Sequence, residues 1–334
     1  MKRFLIIKVT SLGDIVEALP VVADIQREFP GATVDWASDE SFADIVRWNA
    51  GVDRVLCAPL RRFKKTRKWS DLKAIWASIG ELRAVRYDAV VDIHGVYKSA
   101  IIAALTRSKR RFGYLSQDLG ERGAAFAYNG RFGPRPRTDA WLGMRISAGE
   151  ALGYTIDTPP VFNMRIPRDG TALPAPEGPT ALIFHATSKD EKKWPVAHWG
   201  ELCRDLQSRG LRIELPWGSD NERATAEEIA AIVPGAVVLP RLTVPQVAQR
   251  IEDVALVVGT DTGFVHLSHA LLKPTVMIFV TTSAEHTGVR APGRSVSVGD
   301  GNHVPPVKAA LDAVSEVYPP RADASLQGSA VSAA

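Results

Sequence analysis

The chain has 334 residues, a formal net charge of +4, a hydrophobic fraction of 46% and a charged fraction of 23%. These values are ordinary for a globular protein with room for two domains, they exclude an intrinsically disordered chain, and so small a net charge gives no ground for nucleic-acid binding. Two cysteines supply neither a disulfide framework nor a metal-ligand spacing, which fits a reducing cytoplasm, and no apolar run approaches the roughly 20 residues that span a bilayer.

The amino-terminal half predicts strands that alternate with helices. The apolar run at 4–9, too short for a signal peptide, predicts a buried strand. Apolar residues at helical spacing from Ile15 to Ile25 predict a helix after the loop 10–14. Further strands are expected at 33–37, 52–56 and 87–93. This alternation predicts a parallel α/β sheet with right-handed crossovers.

A basic segment lies between the predicted strands at 52–56 and 87–93. Six of the eight residues at 61–68 are basic, among them Arg61, Arg62, Lys64 and Lys65. Such a run is often only a solvated surface, and nucleic-acid binding would need stacking aromatic side chains that this segment hardly offers. Because arginines continue to residue 137, we interpret this half as carrying an anion-binding surface.

A linker is expected at 167–179, where four prolines and two glycines fall within one short stretch. It separates a predicted domain at 1–166 from a second one at 180–319, and the Ala- and Ser-rich tail at 320–334 is expected to be disordered. Strands of the second domain are predicted at 181–184, 211–215, 237–239, 254–258 and 275–279, and no clear strand is predicted after 279. Its helices are predicted at 198–208, 223–232, 244–251 and 306–316.

The stretch 254–271 organises the second domain. A buried strand at 254–258 is followed by a loop at 259–263, and a helix with His266 in its first turn comes next. The first N–H groups of a helix have no intrahelical partners, so a diphosphate can bind there, and Gly263 would let it approach the backbone. The alternative is that Asp261 or Thr262 only caps the helix and that His266 is a surface histidine.

Two α/β halves joined by a linker leave a cleft between them. In open parallel sheets, ligands bind beyond the carboxyl ends of the strands, and both halves carry polar loops of that kind. We interpret the chain as a two-substrate enzyme, with a binding protein that closes on one ligand as the alternative.

Four segments carry a resemblance to a known family. KVTSLGDIVEALP at 8–20, HATSKDEKKWP at 185–195, LPWGSDNE at 215–222 and GTDTGFVHL at 259–267 resemble the signatures of the lipopolysaccharide heptosyltransferases. The resemblance implies a GT-B fold, in which two Rossmann-like domains have parallel sheets facing a cleft. It also implies inverting, metal-independent transfer of heptose from ADP-L-glycero-β-D-manno-heptose to Kdo of Kdo-lipid A, without a cofactor. The protein would lie in the cytoplasm, peripherally on the inner membrane.

The resemblance also implies roles for particular residues. Asp14 would be the catalytic base, and Lys192 would stabilise the leaving diphosphate. The remaining donor-binding residues would be Thr187, Ser188, Glu222, Asp261, Thr262, Gly263 and His266. The acceptor-binding residues would be Arg61, Arg62, Lys64, Lys65, Lys98 and Arg122.

Three positions depart from the family pattern: Asp139 replaces a basic residue or histidine, Ser188 replaces threonine, and 280–286 lacks a Gly-Pro-Thr-type loop. Alternatives to the main interpretation are a heptosyltransferase acting at another core position and a non-catalytic nucleotide-sugar binding protein. Retention of Asp14 favours an enzyme.

Overall fold

The structure is a computed structural model that describes residues 1–135, 139–168, 173–187 and 189–319, with Leu60 and Arg61 described by their backbone alone. Its strands form two parallel six-stranded sheets, one in each half of the chain. The predicted α/β class with two Rossmann-like sheets is therefore confirmed, whereas the domain boundaries stay a prediction.

The first sheet has the strand order β3-β2-β1-β4-β5-β6. Apolar side chains fill its centre because these strands are covered on both faces; Ile6 lies opposite Trp36 and Val91, and all three are buried. The strands are β1 (Arg3–Ile7), β2 (Thr33–Asp39), β3 (Val52–Ala58), β4 (Ala89–Asp92), β5 (Arg111–Tyr114) and β6 (Gly130–Phe132).

The second sheet repeats the same topology with the order β12-β11-β10-β7-β8-β9. The carboxyl ends of β1 and β4, and those of β7 and β10, mark the points where the strand order reverses and where ligands bind in this fold. The strands are β7 (Thr180–Phe184), β8 (Arg212–Leu215), β9 (Val237–Val238), β10 (Leu256–Thr260), β11 (Thr275–Ile278) and β12 (Ser295–Val298).

Helices cover both faces of each sheet. Short 3-10 helices occupy Glu40–Phe42, Arg122–Ala127 and Asp190–Lys192. The α-helices are α1 (Leu12–Ala18), α2 (Pro20–Glu28), α3 (Ala43–Arg47), α4 (Leu60–Thr66), α5 (Trp69–Ala84), α6 (Tyr97–Leu105), α7 (Ala140–Leu152), α8 (Val196–Ser208), α9 (Asp220–Ile232), α10 (Val244–Asp253), α11 (Gly263–Ala270), α12 (Ala284–Thr287) and α13 (Val307–Val317).

Several sequence predictions need correction. The single helix expected from Ile15 to Ile25 is two helices, because Pro20 starts α2 and lacks the N–H group that would continue α1. Gly259 and Thr260 belong to β10 instead of a loop. β12, which pairs with β11 and extends the sheet beyond the strand predicted at 275–279, was not predicted.

One buried apolar cluster crosses from the first half into the second through α1 and α11, joining Ile15 to Val265 and Leu267. The two halves therefore share part of a core. Among the described residues, none of the helices is both long and apolar enough to cross a bilayer.

Candidate active site

A cavity of about 640 Å³ lies between the two halves. The starts of α1 and α11 line it from opposite sides, and both helices follow strands at which the sheet order reverses. The cavity therefore brings together Asp14 from the first half with Lys192, Asp261 and Thr262 from the second. These residues were predicted from three separate segments of the sequence.

Asp14 lies in the first turn of α1 and is held by two neighbours. Its Oδ2 accepts hydrogen bonds from the Ser11 backbone N–H at 3.0 Å and from the Ser11 hydroxyl at 2.6 Å. Its Oδ1 accepts a hydrogen bond from Lys8 Nζ at 3.3 Å, and the Lys8 side chain is buried. Burial raises the pKa of Asp14, but the Lys8 ammonium and the Ser11 hydrogen bonds outweigh burial and leave the pKa below its usual value. Asp14 is thus an oriented, ionised carboxylate.

Residues after β4 support the loop that precedes Asp14. Nδ1 of His94 accepts a hydrogen bond from the Val9 N–H at 3.1 Å. Burial and the charges of Lys8 and Lys98 lower the pKa of His94 to about 3, so the ring is neutral and can accept this bond. Lys98 Nζ donates a hydrogen bond to the Thr10 hydroxyl at 3.1 Å. The predicted acceptor residue Lys98 therefore lies beside the loop that precedes Asp14.

The start of α11 faces the same cavity with an uncapped amino terminus. Thr262 is the residue that precedes the helix, and its side chain makes no capping hydrogen bond to the first turn. Lys192 Nζ lies 2.7 Å from Asp261 Oδ2, and the Thr187 hydroxyl donates to the Asp261 carbonyl oxygen at 3.3 Å. Backbone N–H groups, a hydroxyl and an ammonium therefore converge where an anion would lie.

His266 connects the two halves in the floor of the cavity. Its Nδ1 lies 3.1 Å from Glu17 Oε1 on α1, and its Nε2 lies 3.7 Å from Asp261 Oδ1. Burial lowers the pKa of His266, but these two carboxylates outweigh burial and raise the pKa to about 9. Burial in turn raises the pKa of Asp261, but His266 and Lys192 lower it to about 2. With both ring nitrogens facing carboxylates, His266 ties α1 to α11, and its role as a donor ligand stays a prediction.

The helix starts approach closely because each contributes a glycine. A Cβ atom added to Gly13 would lie 2.6 Å from the His266 ring, and one added to Gly263 would lie 2.7 Å from the Leu12 side chain. We call this contact of Gly13 and Gly263 the glycine seam. The glycine at 263 thus serves the packing of α11 on α1, which differs from the reason inferred from the sequence.

A second cavity of about 400 Å³ adjoins the first, and Thr262 lines both. Its walls are the rings of Phe184, Trp217 and Phe264 together with aliphatic side chains, a mostly apolar lining suited to a nucleobase. Glu222, at the rim, lies in the first turn of α9 and accepts a hydrogen bond from the Gly218 N–H at 2.7 Å. Trp217 is half-buried in this wall, and its indole N–H donates a hydrogen bond to the Leu239 carbonyl oxygen at 2.7 Å.

The predicted acceptor residues of α4 lie apart from this cavity. Arg62 forms ion pairs with Glu40 and Asp71, so part of its charge is already balanced within the first half. Lys64 and Lys65 are exposed. Arg122 is exposed at the start of a 3-10 helix that packs against α6. The side chain of Arg61 and the whole of Ser188 lie outside the described residues.

Sequence reasoning missed several residues that shape the site. Trp141 on α7 packs edge-on against the His266 ring, with 5.1 Å between ring centroids, and donates a hydrogen bond to the Thr287 carbonyl oxygen at 3.1 Å. Glu17 reads in the sequence as an ordinary helix-surface acid, although it is buried. Lys8 was the most accessible to prediction, because a lysine inside an otherwise apolar strand end needs a buried partner. Asp139, which departs from the family pattern, caps the start of α7, and its backbone N–H donates a hydrogen bond to the Glu285 carbonyl oxygen. The aspartate at this position therefore stabilises the start of α7.

The surrounding charges are balanced in the described part of the site. Glu17 and Asp261 are opposed by His266 and Lys192, and no group of three or more His, Cys, Asp or Glu side chains in the described ranges is arranged to hold a metal ion. An incoming diphosphate would meet Lys192 and the α11 amino terminus. Such a site can bind a nucleotide and, with Asp14 opposite, take up a proton from a second substrate.

Comparison with known proteins agrees with this chemistry. Residues 75–310 match the family described as glycosyltransferase family 9 (heptosyltransferase). Lipopolysaccharide heptosyltransferase 1 of Escherichia coli K12 is 34% identical over 281 residues, which cover 84% of this chain and 88% of that protein. The solved structure of the E. coli heptosyltransferase WaaC with ADP is similar with a TM-score of 0.84 and 31% identity, covering 94% of this chain and 99% of the other. The WaaC structure with ADP-2-deoxy-2-fluoro heptose has a TM-score of 0.78 and 30% identity, covering the same shares.

Proposed function

The chain belongs to glycosyltransferase family 9, the heptosyltransferase family, and on that premise we propose that it transfers heptose from ADP-heptose during synthesis of the lipopolysaccharide inner core. The observation that carries the proposal is the meeting of Asp14 with Lys192 and Thr262 across one cavity between two Rossmann-like sheets. This arrangement is the GT-B architecture, with one half for each substrate.

The donor is placed by the second half. The adenine lies in the slot walled by Trp217 and Phe264, and Glu222 accepts hydrogen bonds from the ribose hydroxyls. The diphosphate lies at the start of α11. Thr262 lines both cavities there, so the nucleotide can extend from the adenine slot into the cavity that holds Asp14. Lys192 moves from Asp261 to the diphosphate, and Asp261 is then available to heptose hydroxyls.

The transfer step uses Asp14 as the base and inverts the anomeric carbon. The acceptor hydroxyl oxygen forms a bond to that carbon on one face while the carbon–oxygen bond to the diphosphate breaks on the other. The hydroxyl proton passes to Asp14, and the electron pair of the broken bond leaves with ADP. Because the pKa of Asp14 is lowered, proton transfer comes late, when the attacking oxygen has become acidic. Lys192 and the α11 amino terminus stabilise the charge that grows on ADP, so neither a metal nor a cofactor is required.

The acceptor approaches from the first half. We assign Kdo linked to lipid A as the acceptor. The Kdo carboxylate lies near Lys98, and the lipid A phosphates face the cations of α4, including Lys64 and Lys65. These cations also favour peripheral contact with the anionic cytoplasmic face of the inner membrane, to which each basic residue adds about 1 kcal/mol at moderate salt.

The deciding experiment is a turnover assay with ADP-heptose and Kdo-lipid A in the presence of a chelator, with the anomeric configuration of the product read by NMR. We expect an inverted product, metal-independent rates and, for Asp14→Ala, a loss of turnover of ~10²-fold or more with unchanged ADP binding. Turnover only with an acceptor that already carries heptose would move the enzyme to another core position. Binding of ADP-heptose without turnover on either acceptor would mean a non-catalytic binding protein.

A further inference from the structure

An apolar groove opens between α5 and α6, outside the cavity that holds Asp14. It has a volume of about 160 Å³, and aliphatic side chains from both helices and from β3 line it, among them Ile75, Ile79, Leu82, Ile102 and Leu105. Ile101 at its edge is half exposed, so the groove reaches the surface. An open, mostly aliphatic groove is suited to a flexible hydrocarbon chain.

One end of the groove lies beside the catalytic loop. Lys98 lines the groove and also donates a hydrogen bond to the Thr10 hydroxyl, four residues before Asp14. A molecule whose polar head reaches Asp14 can therefore leave a hydrophobic tail in the groove. The groove also contains the Ser38 hydroxyl, which is buried and has no hydrogen-bond partner in the part of the chain that the structure describes. A carbonyl or hydroxyl oxygen near the head of the chain would satisfy it.

The charge around the groove fits an anionic lipid. α4, which carries the exposed Lys64 and Lys65, leads directly into α5, the helix that forms one wall. Trp69 and Trp76 on the outward side of α5 are 69% and 66% exposed, and tryptophan favours the boundary between water and lipid. Exposed aromatic side chains therefore lie on the helix that forms one wall of the groove, and exposed basic side chains lie on the helix before it.

We propose that the groove between α5 and α6 binds one acyl chain of the lipid acceptor while the sugar head of that acceptor lies at Asp14. This assignment rests on the proposed function in one respect, that the acceptor is lipid-linked. It adds a hydrophobic subsite to the first half and makes the fatty acyl chain a specificity element.

The test compares an acylated acceptor, Kdo-lipid A in mixed micelles, with the same acceptor after removal of all acyl chains. Ile79→Trp fills the groove, and Ala77→Trp places the same side chain on the exposed side of the same helix as a control. Ser78→Leu is a second, milder filling variant. We expect both filling variants to raise the apparent KM for the acylated acceptor by about tenfold, since each methylene kept in water weakens binding several-fold. The KM for the deacylated acceptor, the Kd for ADP and all values for Ala77→Trp should stay unchanged.

A direct binding probe separates this assignment from the activity. Dansyl-undecanoic acid should bind the wild-type protein and Ala77→Trp with equal Kd and lose binding to Ile79→Trp. Equal KM changes for both acceptors, or unchanged KM and probe binding in the folded filling variants, would overturn the groove assignment while leaving the proposed function standing. A change in oligomeric state on filling would make the groove an interface between copies and would also overturn it. Absence of turnover on both acceptors with normal probe binding would overturn the proposed function alone.

Discussion

In the proposed mechanism Lys8 is a positioning residue for the base, since its buried ammonium lies 3.3 Å from Asp14 Oδ1. Lys8→Met removes the charge with little change in volume, so the pKa of Asp14 should rise, and the acid limb of the kcat/KM profile should move up by about one pH unit or more. ADP binding should stay unchanged, and Lys8→Arg should restore part of the wild-type profile. Lys2→Met, the same change at an exposed position before β1, is the control. If the acid limb of the profile does not move in a folded Lys8→Met protein, Lys8 does not control the pKa of Asp14.

His266 links α1 to α11, and it makes the free energy of unfolding dependent on pH. Its pKa of about 9 lies above the ordinary value of 6.5, so its contribution is complete below pH 6.5 and is lost as pH rises through 9. A pKa shift of this size corresponds to about 3 kcal/mol in favour of the charged ring. Glu17 and Asp261 provide this stabilisation, and Lys192 and Trp141 are the other groups packed around the pair.

The check is urea unfolding of wild-type protein and His266→Gln between pH 6 and pH 9.5. The difference in free energy of unfolding between them should shrink as pH rises. His303→Gln, at an exposed histidine, should change the free energy of unfolding only slightly. A His266→Gln penalty that is constant with pH would mean that the ring is neutral in the folded protein.

At the level of elements, the glycine seam should be intolerant of even one methyl group. Gly13→Ala places a Cβ atom 2.6 Å from the His266 ring, so α1 and α11 must separate, at a cost of about 1–3 kcal/mol. Because the two helix starts carry the proposed base and the proposed diphosphate site, kcat should fall together with the free energy of unfolding. Urea unfolding and initial rates measure both effects.

Gly80→Ala is the matched control for the seam variant. Gly80 also lies within a helix, but a Cβ atom there would meet no atom within 4 Å. Alanine in an exposed helix is favoured over glycine by roughly 0.5–1 kcal/mol, so this variant should be slightly more stable and fully active. Equal kcat and equal stability for Gly13→Ala and Gly80→Ala would show that the close contact at the glycine seam is not needed for activity.

The sequence predicted those elements whose own residues decide their structure. β1, β4, β7 and β10 are apolar runs that end at polar loops, and the donor and base segments follow from them. β5, with its sequence RFGY, and the short β6 have no comparable signal and form only because they extend a sheet that is already there. α5 escaped prediction because its apolar residues face both the groove and solvent, which blurs the helical period.

The contacts between the two halves could not be predicted from the sequence. Asp14 and Lys192 were singled out through the family resemblance of their segments and Asp261 through its loop, but Glu17 and Trp141 contact the site only through His266, which is distant from both in the chain. The pairing of His266 with Glu17 spans 249 positions, and no local pattern records such a contact. The apolar groove is likewise assembled from four elements, β2, β3, α5 and α6.

At the level of the whole molecule, the two halves should respond separately to loss of charge. Lys64→Gln with Lys65→Gln removes two exposed cations from the half that holds Asp14 and that we propose binds the acceptor. Binding to vesicles that contain anionic lipid should weaken roughly tenfold or more, because each cation near such a surface adds about 1 kcal/mol. The effect should fade at high salt, whereas ADP binding measured by calorimetry should not change. Arg212→Gln with Lys308→Gln removes the same charge from the surface of the donor half and should leave both measurements unaltered. A loss of ADP affinity in the first pair of variants would contradict the division of labour.

The glycine seam also limits how such enzymes can be recombined. Gly13 is met by a side chain of α11, and Gly263 is met by a side chain of α1, so each helix start is shaped by the other half of the chain. A chimera that takes its acceptor half from one relative and its donor half from another will assemble a working cleft only if both partners bring a small residue to the junction and a matching ring or aliphatic group opposite it. Exchange of specificity by swapping halves therefore has to treat α1 and α11 as one transplanted unit.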